Sequence, residues 1–163
     1  MSRRDDNRAA VTLSILDRLT DLQPGQTGEA PVSSWELMRD YKAALCRDLT
    51  ALLNRRRAEE DFGPEYKETS NSLLTFGIAD FTSFNLKNAI EQERVRLSIE
   101  RAVRQFEPRL AHVTVSMDEP DPVRPVLRFH IEAVLRTDSY GEAVLFDVRL
   151  SRDSRGIAVS GGD

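Results

Sequence analysis

The sequence predicts an α+β domain, with N-terminal helices followed by a three- or four-stranded antiparallel sheet. Three observations carry that prediction. Apolar residues recur at helical spacing from Leu37 to Leu52, and again over the stretch from about Phe84 to Phe106. After Pro108 the pattern switches to strict alternation, the signature of half-buried strands. The alternating runs are joined by short polar connections, which suits antiparallel neighbours and leaves no room for crossover helices.

Composition narrows the classes. The chain has 163 residues, room for one domain with tails. Charged residues are 31% and hydrophobic residues 40%, a globular balance that excludes a disordered chain. No run approaches the roughly 20 apolar residues of a spanning helix. Met1-Ser2-Arg3-Arg4-Asp5-Asp6 is basic but lacks the apolar stretch of a signal peptide, so a cytoplasmic protein is expected. The single cysteine, Cys46, excludes an internal disulfide framework and a cysteine-rich zinc site. A net charge of -4 argues against nonspecific nucleic-acid binding. The basic residues are 20 Arg and 3 Lys; arginine forks suit interface contacts, although a codon bias gives the same count.

In chain order, Val11, Ile15, Leu19 and Leu22 predict a short docking helix, and the Pro- and Gly-containing stretch Gln23–Ser34 a flexible linker. Ser33 and Glu36 have capping-box spacing at the start of a second helix. Leu37, Tyr41, Ala44, Leu45, Leu49 and Leu52 form its apolar stripe, and Trp35 is expected to anchor its start by packing. This helix is expected to end near Arg57, with Arg55, Arg56 and Arg57 complementing its dipole. A polar loop over 58–70 leads to an apolar patch, Leu73, Leu74, Phe76, Ile78 and Phe81 around Gly77, suited to covering the core. The third helix is expected from about Phe84, capped by Ser83 or Asn85. It is two-sided: Val95, Ile99, Ala102, Val103 and Phe106 lie on one side, and Leu86, Ile90 and Leu97 on the other. Either it breaks near Glu91–Arg94, or its second side meets another helix or another protein. Glu100 and Arg104 are spaced to pair.

Three alternating runs then follow, centred on Val113–Met117, Leu127–Leu135 and Val144–Leu150. The segment Ile157-Ala158-Val159 can add an edge strand to an otherwise frayed tail. The expected organisation is therefore helix and linker over 1–33, the α+β domain over 34–150, and a tail over 151–163.

Between helix and sheet lies Phe106-Glu107-Pro108-Arg109-Leu110. Pro108 ends the helix and pushes Glu107 out of helical geometry. In extended chain Glu107 and Arg109 point to the same side, splayed for separate partners and not for each other. The plainer reading is a helix stop with two locally bonded charges.

Here a family resemblance appears. Arg47-Asp48-Leu49-Thr50-Ala51-Leu52-Leu53-Asn54-Arg55-Arg56, Ser72-Leu73-Leu74-Thr75-Phe76-Gly77-Ile78-Ala79-Asp80-Phe81-Thr82-Ser83, Ile99-Glu100-Arg101-Ala102-Val103, the Phe106–Leu110 junction and Leu145-Phe146-Asp147-Val148 occur in order. Across roughly residues 37–150 the chain resembles the TssE family, small baseplate wedge components of type VI secretion systems. That family is similar to the gene-25-type wedge proteins of contractile phage tails. One departure is Ile78-Ala79-Asp80, where members often carry Leu-Pro-Asp. The resemblance implies a gene-25-like α+β fold and an assembly role without cofactor, metal or catalysis. It implies that Glu107, Pro108 and Arg109 bind larger wedge subunits of the TssF, TssG and TssK types. It further implies that a strand edge templates the sheath, made of TssB- and TssC-type subunits. The location implied is cytoplasmic, at the inner face of the membrane, without membrane insertion or nucleic-acid binding.

Two other classes compete. Phage relatives have carried a lysozyme label, and Glu107 with Asp147 would be the carboxylate pair of a peptidoglycan-cleaving glycosidase, though nothing in the sequence brings them together. A free-standing adaptor would bind through the first helix. His112 and His130 could be cross-strand neighbours, but two histidines without a third ligand make a weak metal site. Asp118-Glu119-Pro120-Asp121 lacks the glycine and spacing of a calcium loop and reads as a solvated turn. Cys46 has no resolving cysteine, and no phosphate-cradling glycine loop is present.

Overall fold

A capping box opens the longest helix in the computed structural model, which describes residues 11, 14–20, 33–57, 65–70, 72–81, 84–85, 88–119, 126–137, 141–151 and 156–162. Ser33 Oγ accepts from the Glu36 N–H, and Glu36 Oε2 accepts from the Ser33 N–H at 3.0 Å. Such a cap is worth about 1 kcal/mol. The helices are α1 (Ile15–Leu19), α2 (Ser34–Asn54), α3 (Lys67–Ser70) and α4 (Ala89–Phe106), with a 3₁₀ turn at Leu73–Thr75. The strands β1 (Leu110–Met117), β2 (Val126–Leu135), β3 (Glu142–Ser151) and β4 (Gly156–Gly161) form one antiparallel sheet in the order β1-β2-β3-β4. The predicted α+β class is therefore the observed one, and the short edge strand anticipated around Ile157–Val159 forms as β4.

The stripe on α2 follows its spacing from Tyr41 onward: Tyr41, Ala44, Leu45, Leu49 and Leu52 are buried, while Leu37 in the first turn is half-buried. The inner face of the sheet meets it with Phe129, Ile131, Phe146 and Val148, fully buried. The helix stops earlier than expected. Arg55 is its cap in extended conformation, so Arg55, Arg56 and Arg57 lie past the last turn and do not complement the dipole. The chain leaves to form a parallel bridge: the Ile78 N–H donates to Arg55 O, and the Arg57 N–H donates to Ile78 O. Arg56 pairs with Asp80 at 3.2 Å. This crossing requires glycine at 77, where φ is +112° and a Cβ would stand 2.2 Å from the Arg55 carbonyl oxygen.

Several other expectations change. Val11 joins the core, but Ile15 and Leu19 of α1 are exposed, so that stripe is not buried within this chain. Trp35 is exposed too, under the Arg39 guanidinium at 5.4 Å from its ring centroid, and not a packing anchor. Ile78 is buried and Phe76 and Phe81 pack on the core, whereas Leu73 and Leu74 point to solvent. Asn88, not Asn85, caps α4, its side chain accepting from the Ile90 N–H at 3.0 Å. The α4 helix does not break. Its first side is buried, while Ile90 and Leu97 on the second side are 66% and 49% exposed. The first ten residues, Leu22, Ser83, Leu86 and most of the expected linker lie outside the described residues.

The outer face of the sheet holds a second correction. Pairing along β1 steps from Ala111↔Val134 to Thr114↔Glu132, a bulge that puts His112 at φ +52°. The register sets His130 opposite Ser116 and Asp147, four residues along β1 from His112, so the two histidines are not cross-strand neighbours. Its Nδ1 is 2.7 Å from Asp147 and its Nε2 2.8 Å from Asp118, so Asp118 is engaged and not merely a solvated turn residue. Hydrogen bonds to these two carboxylates raise the imidazole pKa above its ordinary value.

Both sheet edges are closed by helix side chains. On β1, Val113 O accepts from Arg104 Nε and Nη2 at 3.0 and 2.7 Å. Val115 O accepts from Arg96 Nη1 at 2.9 Å, and the Val115 N–H donates to Glu100 Oε2 at 3.3 Å. Arg96, Glu100 and Arg104 follow one another a turn apart on α4, and Glu100 lies 2.8 Å from each arginine. On β4, Asn54 of α2 exchanges two hydrogen bonds with the Ile157 backbone at 2.7 and 2.8 Å, and Cys46 Sγ donates to Gly161 O. Unpaired edges recruit other strands, and these covers block that.

Two tests follow. The His130 pKa is raised by folding, so its contribution is complete below the unfolded value of about 6.5 and is lost as pH rises through the folded value. Urea unfolding across pH 5.5–8.5 (about this range) should show stability falling toward the alkaline side, and His130→Gln should flatten that slope. Glu100→Ala removes the acceptor of the Val115 N–H. Hydrogen exchange at that amide should accelerate on the order of tenfold, the equivalent of one lost hydrogen bond.

Candidate partner-binding site

The junction between α4 and β1 is built by one proline. The Glu107 N–H still donates to Val103 O at 2.9 Å, but φ −118° and ψ 80° at Glu107 end the helix. Pro108 then prevents a further helical bond. The chain does not extend, as the sequence argument assumed. It turns, and the Leu110 N–H donates back to Glu107 O at 3.1 Å. Arg109 O next accepts from the Arg136 N–H at 2.8 Å, beside the first β1–β2 pair, Leu110↔Leu135.

That turn overturns the expectation of a splayed acid and guanidinium. Arg109 Nε donates to Glu107 Oε1 and Nη2 to Oε2, both at 2.6 Å, a two-pronged pair. Strand alternation, the basis of the expected splay, does not hold across a three-residue turn. Glu107 is only 5% exposed, and a carboxylate so placed requires a cation. Arg109 also donates from Nη2 to Asp48 Oδ2 at 2.7 Å and lies 5.7 Å from the Tyr41 ring centroid.

The network continues outward. Arg47 bonds Asp48 Oδ1 at 3.1 Å and Asp17 of α1 at 2.7 Å, and Ser14 donates to Asp17. Hydrogen bonding to Glu107, and then to Asp48, outweighs burial and raises the Arg109 pKa. The Ser14 hydroxyl, with help from Arg47, lowers the Asp17 pKa. Burial pushes the Tyr41 phenol up. Chemically the cluster is a permanently charged guanidinium, held in one orientation between two carboxylates. The described contacts engage Nε and Nη2 and not Nη1. Pro108 is exposed beside it.

Sequence reasoning named Glu107, Pro108 and Arg109 and missed Asp48, Arg47, Tyr41 and Asp17. A signal for Asp48 existed: it follows Tyr41 by two helical turns and so shares the buried face of α2. The structure does not bring Glu107 and Asp147 together. Glu107 is bound to Arg109 at the helix end, while Asp147 lies between the buried Phe146 and Val148 on β3 and pairs with His130 on the opposite face. Among the described residues no group of three or more His, Cys, Asp or Glu could hold a metal, and no helix is long and apolar enough to cross a membrane.

A family described as baseplate wedge protein gp25 matches residues 39–140, from the first turns of α2 through β2. Among solved structures, a chain from the baseplate complex of the type VI secretion system is similar at 14% identity and a TM-score of 0.47, over 71% of this chain and 98% of that one. No curated protein sequence matches. With well over half its length inside the family match, the chain belongs to the gp25 family of baseplate wedge proteins.

Proposed function

We propose that this chain is a structural subunit of a type VI secretion baseplate wedge, acting at the cytoplasmic side of the membrane. The observation that carries the reading is the family match over 39–140, which contains the whole α4–β1 junction and Asp48. In this proposal the turn at Glu107, Pro108 and Arg109 is the face for larger wedge subunits of the TssF, TssG and TssK types. Its chemistry supports that use, because Glu107 and Asp48 fix the guanidinium before any partner arrives. A pre-ordered fork loses little entropy on binding. The partner then supplies an acceptor for Nη1 and an apolar contact for the Pro108 ring.

The second part of the proposal is that the sheet templates sheath subunits of the TssB and TssC types by strand addition. An incoming strand has to displace side chains at whichever edge it uses. The covers on β1 are the ends of long ionic side chains, and Arg104 among them is 56% exposed. Those on β4 come from Asn54 and Cys46 of α2, which packs along that strand.

The test is co-purification with the large wedge subunits. Arg109→Ala is a poor probe, since it strands the buried Glu107 and should cost about 3–5 kcal/mol of stability. Pro108→Lys removes the proline that bends the junction and puts a charge on the exposed turn, so Pro108→Ala, which shares the first change and lacks the second, is its control. Pro108→Lys should melt within a few degrees of that control and yet lose the wedge complex that the control keeps. Arg109→Lys, which keeps charge without the fork, should weaken the complex about tenfold or more. Retention of the complex by both lysine variants at parental levels would overturn the assignment. Release of sugar fragments from peptidoglycan by the purified chain, abolished by Glu107→Gln, would replace it with a glycosidase.

A further inference from the structure

We propose that the outward side of α4 is a docking seam for an acidic amphipathic helix of another protein. The inference needs nothing from the Glu107–Arg109 turn. It starts from α4 itself, an unbroken helix over Ala89–Phe106 with one side in the core. Ile90 and Leu97 stand on the other side, 66% and 49% exposed. They are seven residues apart, about 10 Å along the axis, which is the repeat at which helices interlock. Arg94 and Arg101 each follow one turn later on the same side and are exposed. The result is an alternating apolar and basic seam.

The charge on this seam has no acidic partner among the described residues. The remaining ionic groups of α4 are engaged: Arg96 with Glu93 and Glu100, Arg104 with Glu100 and Val113 O, and Glu91 with the Asn85 N–H. Among the described residues, Arg94 and Arg101 have no ion-pair partner. The occupant must therefore bring carboxylates beside heptad-spaced apolar side chains, which describes an acidic amphipathic helix. A second copy of the chain fits poorly. Laid parallel, the seam sets Arg94 against Arg94 and Arg101 against Arg101; laid antiparallel it brings four arginines together and no carboxylate of its own, and like charges across an interface are costly. Two apolar side chains are also a small anchor for a lipid surface.

The experiment is an NMR titration of the ¹⁵N-labelled full chain with three probes. The first is a synthetic helical peptide with leucines at heptad spacing flanked by glutamates. The second is the same peptide with lysines for the glutamates, and the third is vesicles of phosphatidylglycerol and phosphatidylcholine. The acidic peptide should perturb amides along α4. Its affinity should fall about tenfold or more in Arg94→Glu/Arg101→Glu, and likewise in Ile90→Ser/Leu97→Ser. The lysine peptide should bind only the charge-reversed variant. All four positions are exposed, so these variants should keep the parental fold, checked by their amide spectra. The proposal is overturned by absence of acidic-peptide binding, by equal binding of the lysine peptide, by perturbations confined to other elements, or by vesicle binding that depends on Ile90 and Leu97.

Discussion

A carboxylate that is almost out of water, Glu107, stands where the last helix hands the chain to the sheet, and the rest of the structure is arranged around pairing it. The group cannot stay there alone, because an unpaired buried charge costs several kcal/mol. Pro108 stops α4 and bends the chain, and the bend is what lets a residue only two positions on reach back with both prongs of its guanidinium. That same residue, Arg109, fastens α2 through Asp48 and sits beside the start of the β1–β2 ladder through its carbonyl. One ion pair thus ties together the two long helices and the edge of the sheet. A partner that meets this turn meets a group already oriented by the fold.

The sheet edges show a related economy. A four-stranded meander has two open edges, and each is covered by side chains from the helix nearest it. On β1 the ladder of Arg96, Glu100 and Arg104 substitutes for the hydrogen bonds of a missing strand. The bulge at His112 adds to this by disturbing the regular spacing an incoming strand would need. Such covers satisfy edge groups of β1 and β4 from within the chain.

What could be read from the sequence was what local chemistry decides. The Ser33–Glu36 box, the α2 stripe, the end of α4 at Pro108 and the alternation in β2 and β3 depend on near neighbours, and all form as spaced. The misreadings share a cause. Arg55, Arg56 and Arg57 looked like a last helical turn because nothing local announces the bridge to Ile78. Glu107 and Arg109 looked splayed because strand alternation was carried across residues that turn. The histidines could be set opposite one another because alternation alone does not fix the register between strands, and the register puts His130 opposite Ser116. Asn54 and Cys46, which seal β4, lie more than a hundred residues from the groups they bond. The exposed side of α4 was visible as a second apolar face, but a single sequence cannot tell whether its cover is internal.

The most direct measurement is a double-mutant cycle on the junction, with Glu107→Gln, Arg109→Met and the combined variant unfolded in urea. If the buried pair organises the fold, each single change costs about 3–5 kcal/mol, and the combined change costs well under the sum, with a coupling of about 1.5 kcal/mol or more. Additive losses, with a coupling below about 0.5 kcal/mol, would contradict the account.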